Sequence, residues 1–569
     1  MEYLVHGVVV FVCLATQISI TLLYFTKVKT TSLYILFDKK RNRNKRNAQL
    51  QKLKESWGHP KGLTDFNFDK IASYHHALGH NTSYQTISKT INQDLDLDDT
   101  FTYLDRTHSL IGQQYLYHKL HTIKSPEEVR DLDQTINFFR TDSDERLKVQ
   151  MLLSTLTNRS IYYYHTLFTH NITINRFKLK LAYVLNIITI SSLLLSLHSL
   201  IWILVLLPVF SVNLVLHYKN KYAQYDQLSA TQNFKHILNS TSQLLKMQKL
   251  STAYNFTETK KAIPTLRKLN TLTYFFTSDS AIKDEITTLV MFPIELLKIM
   301  LNIEVITFES FLLRAQHAKE ELKTSFETIA KIDTAISIAS LQTNNRLCQP
   351  VFHNSKEIQI ENLIHPLIEN CVSNTIHLEN KSLLLTGSNM AGKTTFIRAL
   401  TLNTILAQTI GYVFATSYKA NFYQINSSIR ITDDLHNDTS YYLQEVKQIK
   451  RFIIQSNTTD PQLYVLDEIL KGTNTKERIS AAYAILKYLN KEKDIVIVST
   501  HDLELIELLE KEGYQCQYLQ ESIVNNELHF DYKLKLGQPQ TTNAIKILEL
   551  NDFPTEITDL AYNTKKMFS

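Results

Sequence analysis

The stretch Gly387-Ser388-Asn389-Met390-Ala391-Gly392-Lys393-Thr394 holds residue types at a spacing suited to phosphate chemistry. It reads G-x-x-x-x-G-K-[ST]. The glycines let backbone N–H groups close around phosphate oxygens, the lysine reaches the β- and γ-phosphates, and the threonine hydroxyl ligates Mg2+. Ser382 to Thr386, before the loop, reads as a short buried strand, and Thr395 to Leu400, after it, as a helical run. A bare pattern of this kind arises by chance, and the strand-to-helix context separates a phosphate cradle from a coincidence.

Phosphoryl transfer also needs a carboxylate for the metal and a group that places water. Leu463-Tyr464-Val465-Leu466 reads as a second buried strand and runs into Asp467-Glu468. Asp467 is expected on Mg2+ through its water shell, and Glu468 is expected to orient or deprotonate the attacking water. A third apolar strand, Ile495 to Val498, ends in Ser499-Thr500-His501, which puts His501 in reach of the γ-phosphate. A lone histidine after a strand is commonly a cap or a core residue. As the third element in the expected order, His501 reads as functional. ATP and Mg2+ are the implied ligands, and hydrolysis to ADP and phosphate is the implied reaction.

Elements that must position these residues come from a chain of 569 residues, long enough for three or four units. Hydrophobic residues make up 44% and only 11 glycines and 10 prolines occur, which favours long helices. The net charge of +6 is mild for this length and does not by itself argue for nucleic acid. Four cysteines, Cys13, Cys348, Cys371 and Cys516, form no C-x-x-C pair, which argues against zinc and a disulfide framework and for a reducing compartment.

Tyr3 to Phe25 contains no Asp, Glu, Lys or Arg and is long enough to cross a bilayer core of roughly 30 Å. A cleaved signal peptide is the competing reading, but it needs basic residues ahead of the apolar run, and only Glu2 stands there. The cations Lys27, Lys29, Lys39, Lys40, Arg41, Arg43, Lys45 and Arg46 follow instead, placing the subsequent chain in the cytoplasm. A second uncharged stretch, Leu181 to Tyr218, would be about 57 Å long as one helix, nearly twice the bilayer core. A hairpin of two spans turning at Leu197-His198-Ser199 fits better. Arg176, Lys178 and Lys180 flank one end and Lys219 and Lys221 the other, so both ends read as cytoplasmic. A buried hairpin of a soluble protein is the competing reading. Leu289 to Phe308 is apolar but carries Glu295, Lys298 and Glu304, and reads as a packed or interfacial helix.

The same residues carry a family resemblance. GSNMAGKTT, Gly387 to Thr395, resembles the Walker A of the MutS family of DNA mismatch-repair ATPases, GPNMGGKS, with the Asn-Met pair as its distinctive part. DEILKGTNT from Asp467, STHD from Ser499, DTSYYLQEV from Asp438, Ile364-His365-Pro366 and the YKLKLG run from Tyr532 resemble the family's further segments, so the likeness covers about Glu361 to Thr564. Upstream, Leu104-Asp105-Arg106-Thr107 with Gly112, Leu116 and Leu120 resembles the start of the family's core domain. Ile332-Asp333 to Ala339-Ser340-Leu341 resembles the end of its lever. The resemblance implies an ATPase of the ATP-binding-cassette (ABC) type that works as a dimer. Gly387, Ser388, Asn389, Met390, Ala391, Gly392, Lys393, Thr394 and Thr395 would hold ATP, Thr394 and Asp467 would hold Mg2+, and Ser440 would act in trans on the partner's nucleotide.

Departures accompany it. No mismatch-reading domain is seen between the first apolar stretch and the core match. Ser388 and Ala391 stand where Pro and Gly are usual, Tyr441 replaces a Thr beside Ser440, and Gln114 replaces an Arg. The expected order is a transmembrane helix (1–26), a basic juxtamembrane segment (27–94), core helices (95–180), a transmembrane hairpin (181–218), lever or clamp helices (219–350) and an α/β ABC-type P-loop domain (351–569). The fold class is thus multi-domain, a helical core and lever broken by a membrane hairpin and followed by an α/β ATPase. The expected setting is a membrane, most simply a bacterial inner membrane, with the ATPase domain cytoplasmic and a homodimer formed through it.

Three functions compete: a tethered ATPase that binds DNA without reading mismatches, an ATP-driven membrane or protein-partner switch without DNA, and a transporter. Three spans and the absence of an LSGGQ-type signature rank the transporter lowest. The basic run Lys39 to Lys54 suits DNA phosphates, but it suits topology and anionic lipid better, since no aromatic residues are interleaved for base stacking.

Overall fold

The structure is a computed structural model that describes residues 31–62, 66–79, 83–170, 175–223, 225–273, 293, 296–344, 346–430, 441–471, 474–524, 527–538 and 544–568. The expected span Tyr3–Phe25 and Ser440 lie outside the described residues. A helical part comes first and an α/β part follows.

Helix α1 (Thr31–Glu55) carries the basic run. From Arg43 it is largely exposed until Leu53, where its end meets the core and Arg146 lies 3.7 Å over the Trp57 ring just beyond it. Helix α2 (Leu110–Leu120) starts at Ser109, whose hydroxyl accepts the Gly112 N–H, a side-chain cap on an otherwise unpaired donor. Helices α3 (Arg176–Ser196) and α4 (Ile203–Ala223) form a hairpin joined through Leu197–Ser199 and the short turn Leu200–Trp202. Pro208 sits inside α4 without ending it. Helix α5 (Ile303–His317) leads into α6 (Lys319–Asn344), which packs along α2.

One carboxylate fastens that pairing. Asp333 on α6 accepts the N–H groups of His108 (2.8 Å) and Ser109 (2.7 Å) and the Ser109 hydroxyl (2.6 Å). A Cβ on Gly112 would overlap the same carboxylate, so the glycine is required by close approach. Burial outweighs these bonds and pushes the Asp333 carboxyl up to about 6.

The expected single helix over Leu289–Phe308 is broken where it is described. Residues 296–300 are helical, Leu301 and Asn302 form a turn in which Asn302 takes the left-handed conformation at φ +48°, and α5 starts at Ile303. Asparagine tolerates that backbone better than most residues. Three amides hold the break. Asn302 Nδ2 donates to Asn186 Oδ1 on α3 (3.1 Å) and Asn213 Oδ1 on α4 (2.8 Å). Those two amides donate in turn to the carbonyls of Leu301 (2.5 Å) and Met300 (2.8 Å), which the interrupted helix leaves without partners of its own.

Besides the two-stranded hairpin of Glu521–Val524 and Glu527–Phe530, the α/β part holds two sheets. The strands are β1 (Val351–Phe352), β2 (Glu357–Leu363), β3 (Asn374–Glu379), β4 (Ser382–Thr386), β5 (Ser417–Ala420), β6 (Gln424–Ser428), β7 (Gln462–Asp467), β8 (Ile495–Ser499), β9 (Tyr514–Tyr518) and β10 (Lys535–Leu536). The main sheet runs β10-β9-β4-β8-β7-β6, parallel except for β10, and the second runs β1-β5-β2-β3. Strands β4, β7 and β8 are buried on both faces, which is why they read as continuous apolar runs. Helix α7 (Lys393–Thr409) follows β4, α8 (Tyr441–Gln455) precedes β7, α9 (Thr475–Leu489) follows β7 and α10 (Leu503–Glu510) follows β8. Asp94 and Asp96 couple the two parts. Asp94 accepts the Ser427 hydroxyl at 2.6 Å and the Arg430 N–H at 2.9 Å. Asp96 takes both terminal nitrogens of Arg430 at 2.6 and 2.8 Å and Arg398 of α7 at 3.3 Å.

Candidate nucleotide site

Three neighbouring parallel strands, β4, β8 and β7, end on one edge of the sheet, the edge where ligands settle in open α/β sheets. The loop from Gly387 to Gly392 leaves β4 there and enters α7. Gly387 has φ +132°, and a Cβ on it would overlap the Leu519 carbonyl. Gly392 has φ +94°, with a Cβ position 3.2 Å from the Tyr532 ring. Both positions require glycine, and both keep the loop's backbone tight around the α7 N-terminus. Ser388 donates to Glu521 Oε2 at 2.7 Å, Asn389 to Ala391 make a 3-10 turn, Met390 is exposed and Ala391 is buried.

Lys393 is 1% exposed and donates to the Gly387 carbonyl at 2.5 Å. Burial drives its ammonium pKa down to about 8. Its Nζ also lies 3.2 Å from His501 Nε2. Thr394 donates to Asp467 Oδ2 at 2.7 Å, and the Ser499 hydroxyl bonds the other oxygen of Asp467. Glu468 accepts from His501 Nε2 at 2.8 Å and lies 3.2 Å from Lys471 Nζ. The His501 bond, with Lys471 adding to it against burial, holds the Glu468 carboxyl down to about 2. Glu468 has φ +55° and Leu470 φ +57°. Left-handed backbone at non-glycine residues costs of order 1–3 kcal/mol and gathers at functional sites. The Glu468 N–H bonds the Ser499 carbonyl at 3.2 Å, and the Leu470 N–H bonds Glu445 Oε1 of α8 at 2.5 Å, so neighbouring elements hold the turn.

Lys393, Thr394, Asp467, Glu468 and His501 therefore meet at one place, around the loop from Gly387 to Gly392. Thr395 lines a cavity of about 410 Å³ beside the loop, with His365, Ile368, Phe396 and Tyr532. The motifs did not mark Ser499, Lys471, Glu521 and Glu445 as partners of the site. Ser499 is the last residue of β8, opposite Asp467 in register, and only the strand pairing makes that visible. The residues fit a magnesium nucleotide: a glycine-lined cradle, a buried ammonium, and a hydroxyl–carboxylate pair of oxygen donors suited to a hard cation.

Comparisons with known proteins agree with this geometry. The MutS domain V profile matches residues 383–569. The "DNA mismatch repair protein MutS" of Clostridium kluyveri is 30% identical over 250 residues, covering 42% of this chain and 28% of that protein. That of Carboxydothermus hydrogenoformans is 32% identical over 262 residues, covering 44% and 31%. That of Macrococcus caseolyticus is 29% identical over 249 residues, covering 42% and 29%. The chain thus spans under a third of the length of these relatives. Over residues 383–569 this chain is thus similar to MutS domain V, and its C-terminal part is similar to the MutS proteins.

Proposed function

We propose that this protein is a membrane-anchored MutS-like ATPase that hydrolyses ATP to ADP and phosphate. Closure of a homodimer through the ATPase domains drives a DNA-binding role in repair or recombination that does not read mismatches. The observation that carries it is the meeting of Lys393, Thr394, Asp467, Glu468 and His501 around one glycine-built loop. Lys393 holds the β- and γ-phosphates. Thr394 and Asp467 would hold Mg2+, which when bound would neutralise charge at the phosphates. Glu468 orients or deprotonates the attacking water. His501 anchors Glu468 and lies next to Lys393, where it meets the γ-phosphate. The cavity beside Thr395 suits the base, and Ser440 completes the partner's site in trans. The relatives' printed name supports DNA contact.

The membrane reading rests on the hairpin. Among the described residues, α3 and the stretch Leu200–Lys219 are long and apolar enough to cross a membrane, and only 22% and 6% of their apolar windows are buried. A soluble core hairpin would bury that surface. Here Ile187, Leu194, Leu204 and Leu207 face outward, whereas Thr189, Ser192 and Asn213 face inward. Such a pattern suits lipid, where small and polar residues glue helices together. The ATPase domain then lies in the cytoplasm. The packing of the hairpin on α5, which leads into α6, favours a second reading, an ATP-driven membrane or partner switch without DNA.

The deciding experiment is DNA binding by the Glu468→Gln protein in lipid nanodiscs, with and without ATP, on duplex, mismatched and branched DNA across a salt series. ATP-dependent binding that survives near-physiological salt supports the DNA reading. Binding that is absent, or lost with salt whatever the nucleotide, removes it and leaves the switch.

A further inference from the structure

A second polar site lies on the helical part and shares no lining residue with the cavity beside the nucleotide loop. Two adjoining cavities, of about 910 and 530 Å³, both include Lys61, Thr107 and His108 in their walls. Those volumes match small-molecule sites. Neither cavity has an Asp or Glu in its lining among the described residues, while the linings supply Lys52, Lys61, Lys70, Arg106 and Arg159. In a chain with 55 acidic and 61 basic residues, two linings that carry five cations and, among the described residues, no acid are a marked local excess.

The cations differ in how they are held. Lys61 is offset from behind by the buried Asp105 at 2.8 Å. Lys70 donates to the Tyr163 hydroxyl at 2.5 Å and lies over that ring. Arg159 is exposed and makes no ion pair among the described residues. Arg106 is 5% exposed, gives one terminal nitrogen to the carbonyls of Tyr103 and Leu104, and keeps a buried Nε with no partner. Gln150, 1% exposed and in the wall of the smaller cavity, likewise keeps a buried Oε1 without a partner. Burial, with Lys61 adding to it, pushes His108 down to about 3, so it stays a neutral acceptor for the Gln150 amide at 2.8 Å. Leaving buried polar atoms unpaired costs about 1–3 kcal/mol each. Both residues stand in the wall of the smaller cavity, beside its concentration of cations.

We propose that this double cavity binds a small ligand carrying phosphate groups. Arg159 and Lys70 meet the phosphates at the mouth, and Arg106 sets the potential from within. Phosphate is the chemistry that paired guanidinium and ammonium groups recognise best. The phosphate can arrive on a soluble metabolite or on an anionic lipid headgroup, and the test separates the two.

The test uses the full chain with Lys393→Ala, so that the loop at Gly387–Gly392 does not bind the probe. The protein is placed in nanodiscs of neutral lipid, and pyrophosphate is titrated by calorimetry. One binding event per chain is expected, weakened at least tenfold in the Lys70→Ala/Arg159→Ala protein and restored toward the parent value by Lys70→Arg/Arg159→Lys. Repeating the titration with anionic lipid in the disc separates the sources: competition identifies a headgroup, and unchanged binding identifies a soluble ligand. ATP turnover in chains with the native Lys393 should be the same with and without Arg159→Ala, so failure here is distinct from failure of the ATPase reading. The absence of pyrophosphate binding in neutral discs, or binding indifferent to the double variant, overturns the proposal.

Discussion

The nucleotide site and the hairpin solve opposite problems of solvation. At the nucleotide site, charged groups are gathered on the edge of a sheet whose strands are apolar throughout, and each charge has a close partner: Lys393 with a carbonyl, Asp467 with two hydroxyls, Glu468 with His501. In the hairpin the order is reversed. Thr189, Ser192 and Asn213 turn inward while Ile187, Leu194, Leu204 and Leu207 turn outward, and the interior amides pair with one another and with two carbonyls. A polar group is stable in either place only when its partners are built in.

The contrast can be broken at several points, the largest effects first. Lys393→Ala removes the only phosphate-binding ammonium of the loop and should lower ATP turnover about 10³-fold; phosphate-release assays that find less than a tenfold loss would reassign the site. Glu468→Gln should retain ATP binding while slowing hydrolysis about 10²-fold, and normal turnover would remove Glu468 from the water-placing role. In the hairpin, Ile187→Lys or Leu204→Lys should each cost about 3 kcal/mol of insertion. Alkaline extraction of membranes measures this, and equal retention of parent and variant would mean that face does not meet lipid. Asn302→Leu should cost about 1–2 kcal/mol by uncoupling α5 from both hairpin helices; an unchanged melting temperature in detergent would reduce the amides to bystanders. The smallest effect concerns pH. Because burial lowers Lys393 to about 8, the ammonium of the free protein is present below that pH and lost above it. Apparent ATP affinity should therefore fall as pH rises through about 8, a trend absent in Lys393→Arg.

The two regions also differ in what the sequence discloses. The loop glycines, Asp467-Glu468 and His501 are legible because covalent spacing alone fixes their relation to a strand end. The Ser499–Asp467 bond is not legible in that way, because it depends on β8 lying beside β7. Hairpin helices can be read from apolar length, and a turn at Leu197–Ser199 from the bilayer's thickness. The amide cluster cannot, because Asn302 lies 89 residues beyond Asn213 and its left-handed backbone breaks a stretch that composition marks as one helix. Gly112 falls between: the core motif marks it, but its reason is the Asp333 carboxylate against it.

The amide cluster also sets an order of manufacture. Asn186 and Asn213 leave the ribosome before Asn302, with 89 residues still to be added after Asn213. At 5–20 residues per second that interval is about 5–20 s. In a hairpin that enters the bilayer as proposed, two amides would wait there for that time without their final partners, held by each other or by an insertion factor. On that reading the third segment would arrive as a latch, and assembly would finish with Asn302, well after the hairpin had entered.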